Sequence, residues 1–323
     1  MASTAIGSDA HAIALGKARN AAIQDRVFFW LTLLSAALVV LLLLGVMASL
    51  LIGSWPAIQA FGLNFVWTQR WSPVKEIFGA LSPIYGTLIT SLIAMVIGIP
   101  VSFGIAIFLT ELCPPALKRP IGIAVELLAG IPSIIYGLWG FFFLAPFLQT
   151  TIQPFLINTI GKVPGVGILF GGAPYGIGLL TAGIVLAIMV LPFITSITRD
   201  VFQTVPTLLR ESAYGMGMTT WEVIRSIIIP YTRVGLVGGI MLGLGRALGE
   251  TMAVTFVIGN SHNISASLLA PATTISATIA NEFTEATGEL YTSSLIELGL
   301  ILFVITFGVL AAAKWLLVRT AVK

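Results

Sequence analysis

The chain alternates between long apolar runs with few or no charges and short polar segments. Val27 to Ile52 carry no charge at all. Five further apolar runs follow at Tyr85–Leu109, Ile121–Leu148, Ile177–Ile197, Val234–Ile258 and Leu295–Leu317. At about 1.5 Å per residue a helix of some 20 residues crosses a hydrocarbon layer about 30 Å thick. The pattern therefore predicts six transmembrane helices. The two-residue alternation of a membrane barrel is absent. Pro100, Pro132 and Pro192 fall inside predicted spans, where neighbouring helices can satisfy the freed carbonyls. The first run is longer than the apolar core of a secretory signal and no small-residue cleavage site follows it, so it is read as a retained span.

Composition turns this pattern into an exclusion. The chain is 57% apolar and 9% charged, with mean hydropathy +1.03. A soluble domain carries about 25% charged residues, so a soluble enzyme, a disordered chain and a fibre are all excluded. One cysteine, Cys113, allows no intrachain disulfide, and His11 and His262 are too isolated for a metal site. No metal ligand set, Walker loop, nucleophile elbow or other catalytic set is present. The net charge of +3 reads as topology rather than nucleic-acid binding. With the N-terminus inside, Arg70, Lys75 and Lys162 are the only basic residues in outer segments, Arg246 falls within a span, and the rest of the 16 Lys and Arg lie in inner segments. This bias predicts cytoplasmic termini. It divides the chain into an inner tail at 1–26, a first span at 27–52, an outer loop at 53–84, a membrane domain at 85–317 and an inner tail at 318–323.

The remaining outer loops are 149–176 and 259–294. Trp55, Trp67 and Trp71 read as membrane-interface anchors, and Gly161 to Gly176 as a compact loop rather than a phosphate cradle. Glu282, Glu285 and Glu289 form an acidic outer run, either a docking surface or plain solvation.

The inner segment 198–233 is the most informative stretch. It predicts two short helices, the first ending near Gly215 and Gly217, the second capped by Thr219 or Thr220, with Pro230 breaking the chain before the fifth span. Such a helix–turn–helix is either a docking knob, with Met216 and Met218 able to repack, or an ordinary amphipathic connection. Within the fifth span, Arg246 lies roughly 20 Å along the helix from Arg233, near the membrane midplane. A central arginine costs about 2.5–3.5 kcal/mol or more to insert and requires polar surroundings. Helical spacing puts Gly239, Gly243, Arg246 and Glu250 within about 40° of one line. The Arg246–Glu250 pair is then either a structural ion pair or part of a substrate path. Arginine suits phosphate, because its planar donor fork matches phosphate oxygens and keeps its proton. Glu250 is expected to hold Arg246 while the path is empty and to release it in part to the anion. Glu126 is expected near the inner interface. Ser133 and Tyr136, after Pro132, offer donors either to an anion or to a kinked helix.

The spacing Glu211-x-Ala213-x3-Gly217-x9-Ile227-x-Ile229-Pro230 resembles the EAA loop of ABC importer permeases, departing only at Ser212 and Ile229. Gly243-Leu-Gly-Arg246-Ala-Leu-Gly249-Glu250-Thr-Met-Ala-Val254, Ile131 to Gly137 and Ala280 to Phe283 resemble the permeases of phosphate-specific ABC importers, over about residues 27–318. The resemblance implies an all-α type-1 permease fold in the bacterial inner membrane, with residues 27–52 as an additional N-terminal helix. It implies inorganic phosphate as cargo and a heterodimer with a homologous permease, PstA. It also implies an ATPase subunit, PstB, which binds the ATP, so that this chain needs no cofactor of its own. A periplasmic phosphate-binding protein, PstS, phosphate-signalling regulators and membrane lipid complete the implied partners. In that family the EAA loop enters a cleft of the ATPase, and the residues matching Arg246 and Glu250 are implicated in phosphate movement. Two other readings stay open on the residues alone: an ion-coupled carrier using Arg246 and Glu250, and a membrane anchor or sensor whose inner loop recruits a regulator.

Overall fold

A computed structural model describes the backbone of residues 3–321 and the side chains of residues 23–315. The predicted roles of His11, Lys17 and Arg19, and of the side chains in the C-terminal tail, lie outside the described side chains. The described elements are helical, with six helices long and apolar enough to cross a membrane: Ile23–Phe61, Leu81–Leu112, Ser133–Lys162, Leu179–Gln203, Thr220–Gly249 and Glu289–Trp315. The chain divides into two compact units, residues 1–53 and 54–323.

The first unit lies within helix α1 (Ser3–Phe61). From Val27 to Leu44 its apolar side chains are exposed on every side. A helix apolar all round suits a lipid solvent, not water.

The second unit is built around two helices, α2 (Leu81–Ile107) and, later in the chain, the span Leu179–Gln203. Small residues let them close on each other. A Cβ on Gly183 would lie 2.5 Å from Ile93, and one on Gly98 would lie 3.1 Å from Val190. Ala94, Leu186, Val190 and Ile194 fill the seam with at most 1% exposure. Pro100 and Pro192 ride inside these helices without ending them.

Three expectations are corrected. The third predicted span, Ile121–Leu148, is not one helix. Helix α3 (Pro115–Ala129) stops, the chain turns through residues 130–132, and α4 (Ser133–Trp139) begins a new helical stretch reaching Lys162. Pro132 lacks an N–H and biases Ile131 away from helix, and it takes φ −56° and ψ 138° at the start of α4. The span following it, Leu179–Gln203, is α5. Second, Pro230 does not break the chain. After helix α6 (Thr207–Gly215), α7 (Thr220–Val223) runs through a π turn at Ile224–Ile228 into α8 (Ile229–Gly249). The wider π turn gives the proline ring room beside the preceding carbonyls. Third, the fifth span ends at Gly249, and α9 (Met252–Ile258) is a separate helix.

The segment after α9 folds back into the bundle instead of extending away from it. Helix α10 (Ile275–Glu282) buries Ile275 and Ala277 completely. Gly86 of α2 sits against this segment so closely that a Cβ would meet the Thr273 carbonyl at 1.9 Å. The glycine-rich stretch forms short turns of 3-10 helix, and Leu169 accepts a 2.8 Å hydrogen bond from the Leu268 amide. The last span belongs to α11 (Glu289–Ala321).

Candidate translocation site and coupling knob

The knob between α5 and α8 is specified locally. Helix α6 ends at Gly215, and Gly217 adopts φ +84°, a conformation that a side chain resists. The Met218 amide returns to the Ala213 carbonyl at 3.2 Å. Thr219 then opens α7 with a capping box: its amide donates to Glu222 Oε2 at 2.7 Å, and the Glu222 amide donates to Thr219 Oγ1 at 3.4 Å. Ala213 is fully buried in a small core with Phe202, Val223 and Ile228, and half-buried Ile227 packs against it. Glu211, Gly217 and Pro230 are exposed. So are Leu208 at 70%, Met216 at 75% and Trp221 at 61%. An exposed apolar surface of this size on a capped, anchored turn is suited to a protein partner. The anchor includes Arg210, whose Nη1 pairs with Glu111 Oε1 at 2.5 Å and whose Nη2 donates to the Phe202 carbonyl. Glu111, at the C-terminal end of the second span, has 6% side-chain exposure.

Gly239, Gly243 and Arg246 face α5. A Cβ on Gly243 would lie 2.7 Å from Ile194, one on Gly239 would lie 3.0 Å from Ile197, and the Arg246 guanidinium carbon sits 4.2 Å from the centroid of the Phe193 ring. Glu250 departs from this line. It takes φ −71° and ψ 131°, outside the helix, so the four-residue spacing no longer places it beside Arg246. Among the described residues the ion pairs do not include Arg246 with Glu250. Instead Glu250 Oε1 accepts the Ala253 amide at 3.3 Å, at the start of α9. Arg246 is thus held by a cation–π contact, its Nε buried without a hydrogen-bond partner. It borders a groove of about 690 Å³ between α8 and α11.

Tyr136 is 8% exposed and donates through Oη to the Leu128 carbonyl at 2.8 Å, bridging the break between α3 and α4. That is the kink-satisfying role, although Tyr136 also lies close enough to Arg246 to feel its charge. Ser133 is half-buried at the first position of α4.

Residues 102–322 match the family model of the binding-protein-dependent transport system inner membrane component. The phosphate transport system permease protein PstC of Mesorhizobium japonicum is 66% identical, over 93% of this chain and 92% of its own. The PstC of Pasteurella multocida is 57% identical over 94% and 95%. PstC 1 of Mycobacterium tuberculosis is 39% identical over 90% and 92%. The chain belongs to the PstC family of transport permeases. These are membrane transport subunits and not enzymes. Among solved structures, a chain of the inward-facing MetNI methionine ABC transporter aligns with TM-score 0.55 at 17% identity, covering 77% of this chain and 99% of that one. A chain of a bacterial ABC importer of the acidic polysaccharide alginate aligns with TM-score 0.54 at 16% identity, covering 90% and 98%. At those identities the likeness establishes a multi-pass permease fold.

Away from Arg246, this PstC-family chain pairs Glu126 near a helix end and draws Glu282 out of the expected acidic run. Glu126 belongs to α3 and not to a span; its Oε1 pairs at 2.7 Å with Arg199 near the end of α5. Glu282 is not part of an acidic rim. It is half-buried, and Trp71 Nε1 and Tyr291 Oη (2.8 Å) donate to its Oε2 while His262 Nε2 lies 3.1 Å from its Oε1. Trp71 stacks on His262 with rings 5.3 Å apart and 3° from parallel, so it is an internal packing residue, unlike the exposed Trp55 and Trp67. Burial raises the Glu282 pKa, but the hydrogen bonds from His262, Tyr291 and Trp71 outweigh it and hold the carboxyl below its usual range. Glu285 and Glu289 remain exposed. No spacing in the sequence joins Glu111 to Arg210, and two buried charges, Glu111 and Glu297, stand outside the predicted set. Glu297 is 6% exposed on α11, with Oε2 lacking a hydrogen-bond partner.

Proposed function

We propose that this chain conducts inorganic phosphate across the bacterial inner membrane as one permease of an ATP-driven importer. The observation that carries the reading is Arg246: a cation deep in an apolar span, resting on an aromatic ring beside an open groove, with no carboxylate holding it. A charge so placed is functional by default. Its donor fork suits a phosphate oxygen. A cation–π contact is weak enough for a passing anion to replace, and weak binding lets the anion leave. Glu250 acts from the neighbouring break, where it shapes the start of α9 and limits the net positive charge near the path. Ser133 and Tyr136 are the further candidates for the path, Tyr136 being close enough to Arg246 to feel its charge.

In this reading residues 1–26 and 318–323 are cytoplasmic, 27–52 is an additional span, 53–84 is periplasmic, and 85–317 carries transport. The coupling loop 198–233, through Glu211, Ala213, Gly217, Ile227 and Pro230, transmits closure of the ATPase PstB, which alone binds ATP. PstA supplies the second permease and PstS delivers phosphate at the outer face. The relatives named for phosphate transport support this cargo. The test is uptake of radiolabelled phosphate by assembled transporters carrying Arg246→Ala or Arg246→Lys. The alanine variant is expected to lose transport while still assembling. Near-normal uptake by it would overturn the pathway role.

A further inference from the structure

The groove that Arg246 borders holds a second cation, Lys314 of α11. The rest of its lining is glycine and apolar side chains, including Leu242, Phe307 and Leu310, with no carboxylate among them. Among the described residues, neither cation has a carboxylate within ion-pair distance.

The two side chains are aimed at each other by helix geometry. Successive spans cross in opposite directions, so α8 and α11 are antiparallel, and they meet where Gly245 faces Leu310, a Cβ there lying 3.7 Å from Leu310. Lys314 is one turn beyond Leu310 on the same face of α11, about 6 Å toward its C-terminal end. Side chains on a helix tilt toward its N-terminus. Arg246 on α8 therefore leans in the direction of Lys314, and Lys314 on α11 leans back toward Arg246. Two long cationic side chains converge on one stretch of groove.

We infer that Lys314 is a second phosphate station on the inner half of the path, receiving the anion from Arg246. This rests on the reading of Arg246 as a pathway residue. Convergent cations without a competing carboxylate recognise a tetrahedral phosphate oxyanion, whether it is free or part of a lipid. Depth selects the free ion. Arg246 lies roughly 20 Å along α8 from Arg233, deeper than a lipid headgroup sits, and Lys314 is about 6 Å nearer the headgroups, beside the exposed Trp315. A lipid phosphate can meet Lys314 alone; inorganic phosphate can visit both. The stations also share the charge, so that neither binds a dianion tightly enough to trap it.

The experiment uses the complete transporter, with its partner permease, ATPase and binding protein, reconstituted in phosphatidylcholine vesicles with and without phosphatidylglycerol. Initial uptake of labelled phosphate is compared for wild type, Lys314→Gln, Lys314→Arg and Arg246→Gln, with subunit co-purification as the control for assembly. Lys314→Gln is expected to slow uptake about ten-fold, the low end of what local charge focusing supplies. Lys314→Arg is expected to restore it, and both results should hold in either lipid. Wild-type uptake by Lys314→Gln alongside inactive Arg246→Gln would overturn the second station and leave the Arg246 reading standing. A Lys314 effect confined to vesicles with phosphatidylglycerol would assign the groove to a lipid headgroup and overturn the proposal. Full uptake by Arg246→Gln would remove the reading on which it rests.

Discussion

A charged side chain in this molecule is either bonded into the fold or left open, and the difference is visible residue by residue. Glu282 is the bonded case. Its three partners come from the loop before α2, the loop after α9 and the start of α11, so one carboxylate ties three segments together. Removing it leaves Trp71, His262 and Tyr291 without their acceptor. Glu282→Ala is expected to cost about 1–3 kcal/mol per donor that stays buried and unpaired, read as a lower melting temperature of the purified transporter. The pH dependence has a definite sign. The folded-state pKa is depressed, so this contribution is complete above the ordinary value of 4.5 and is lost as pH falls through the lower folded value. Acidification below that point should destabilise wild type more than Glu282→Gln; equal acid sensitivity would refute the assignment. Nothing in the sequence joins Trp71, His262 and Glu282, which are far apart along the chain, so the node was not legible. Arg246 was legible as a lone charge in an apolar run. Its pairing with Glu250 was misread because helical spacing holds only while the helix continues, and Gly249 ends it.

Helix ends were the hardest feature to read at the level of elements. Of the prolines at 100, 132, 192 and 230, only Pro132 marks a break. What separates it from Pro230 is context: Pro132 follows the helix end at Ala129 and takes an extended ψ of 138°, whereas Pro230 follows a π turn that accommodates its ring. By contrast the knob was almost fully legible, since a left-handed glycine and a capping box are local signals. Its two small residues should fail in different ways. Around Gly217 a Cβ meets nothing within 4 Å, so Gly217→Ala strains only φ and should cost about 1–2 kcal/mol. Ala213 is sealed in the α6–α8 core, so Ala213→Leu overpacks it, at about 1–3 kcal/mol, and pushes α6 off its seat. Pull-down of the ATPase subunit separates the two. Gly217→Ala should retain it and Ala213→Leu should lose it; equal retention would show that the seating of α6 does not matter to the partner.

Across the second unit, burial is uneven in a way that bears on transport. In the most apolar window of each span, 61% of α5 is buried but only 28% of the span ending in α8 and 17% of α11. The centre of the unit is α5, and α8 and α11 sit at its margin with the Arg246 groove open beside them. A single chain therefore presents, without enclosing, the half-buried Arg246. Lipid is a poor cover for a guanidinium, and closure by the second permease is the arrangement that gives the path two walls. The groove residue Leu242 is 65% exposed and reports this directly. A photoreactive benzoylphenylalanine in place of Leu242 should label surrounding lipid in the chain expressed alone and be diverted to the partner permease once that is present. Equal lipid labelling in both states would place the groove against lipid rather than a partner, and Arg246 would then have to act without a second wall.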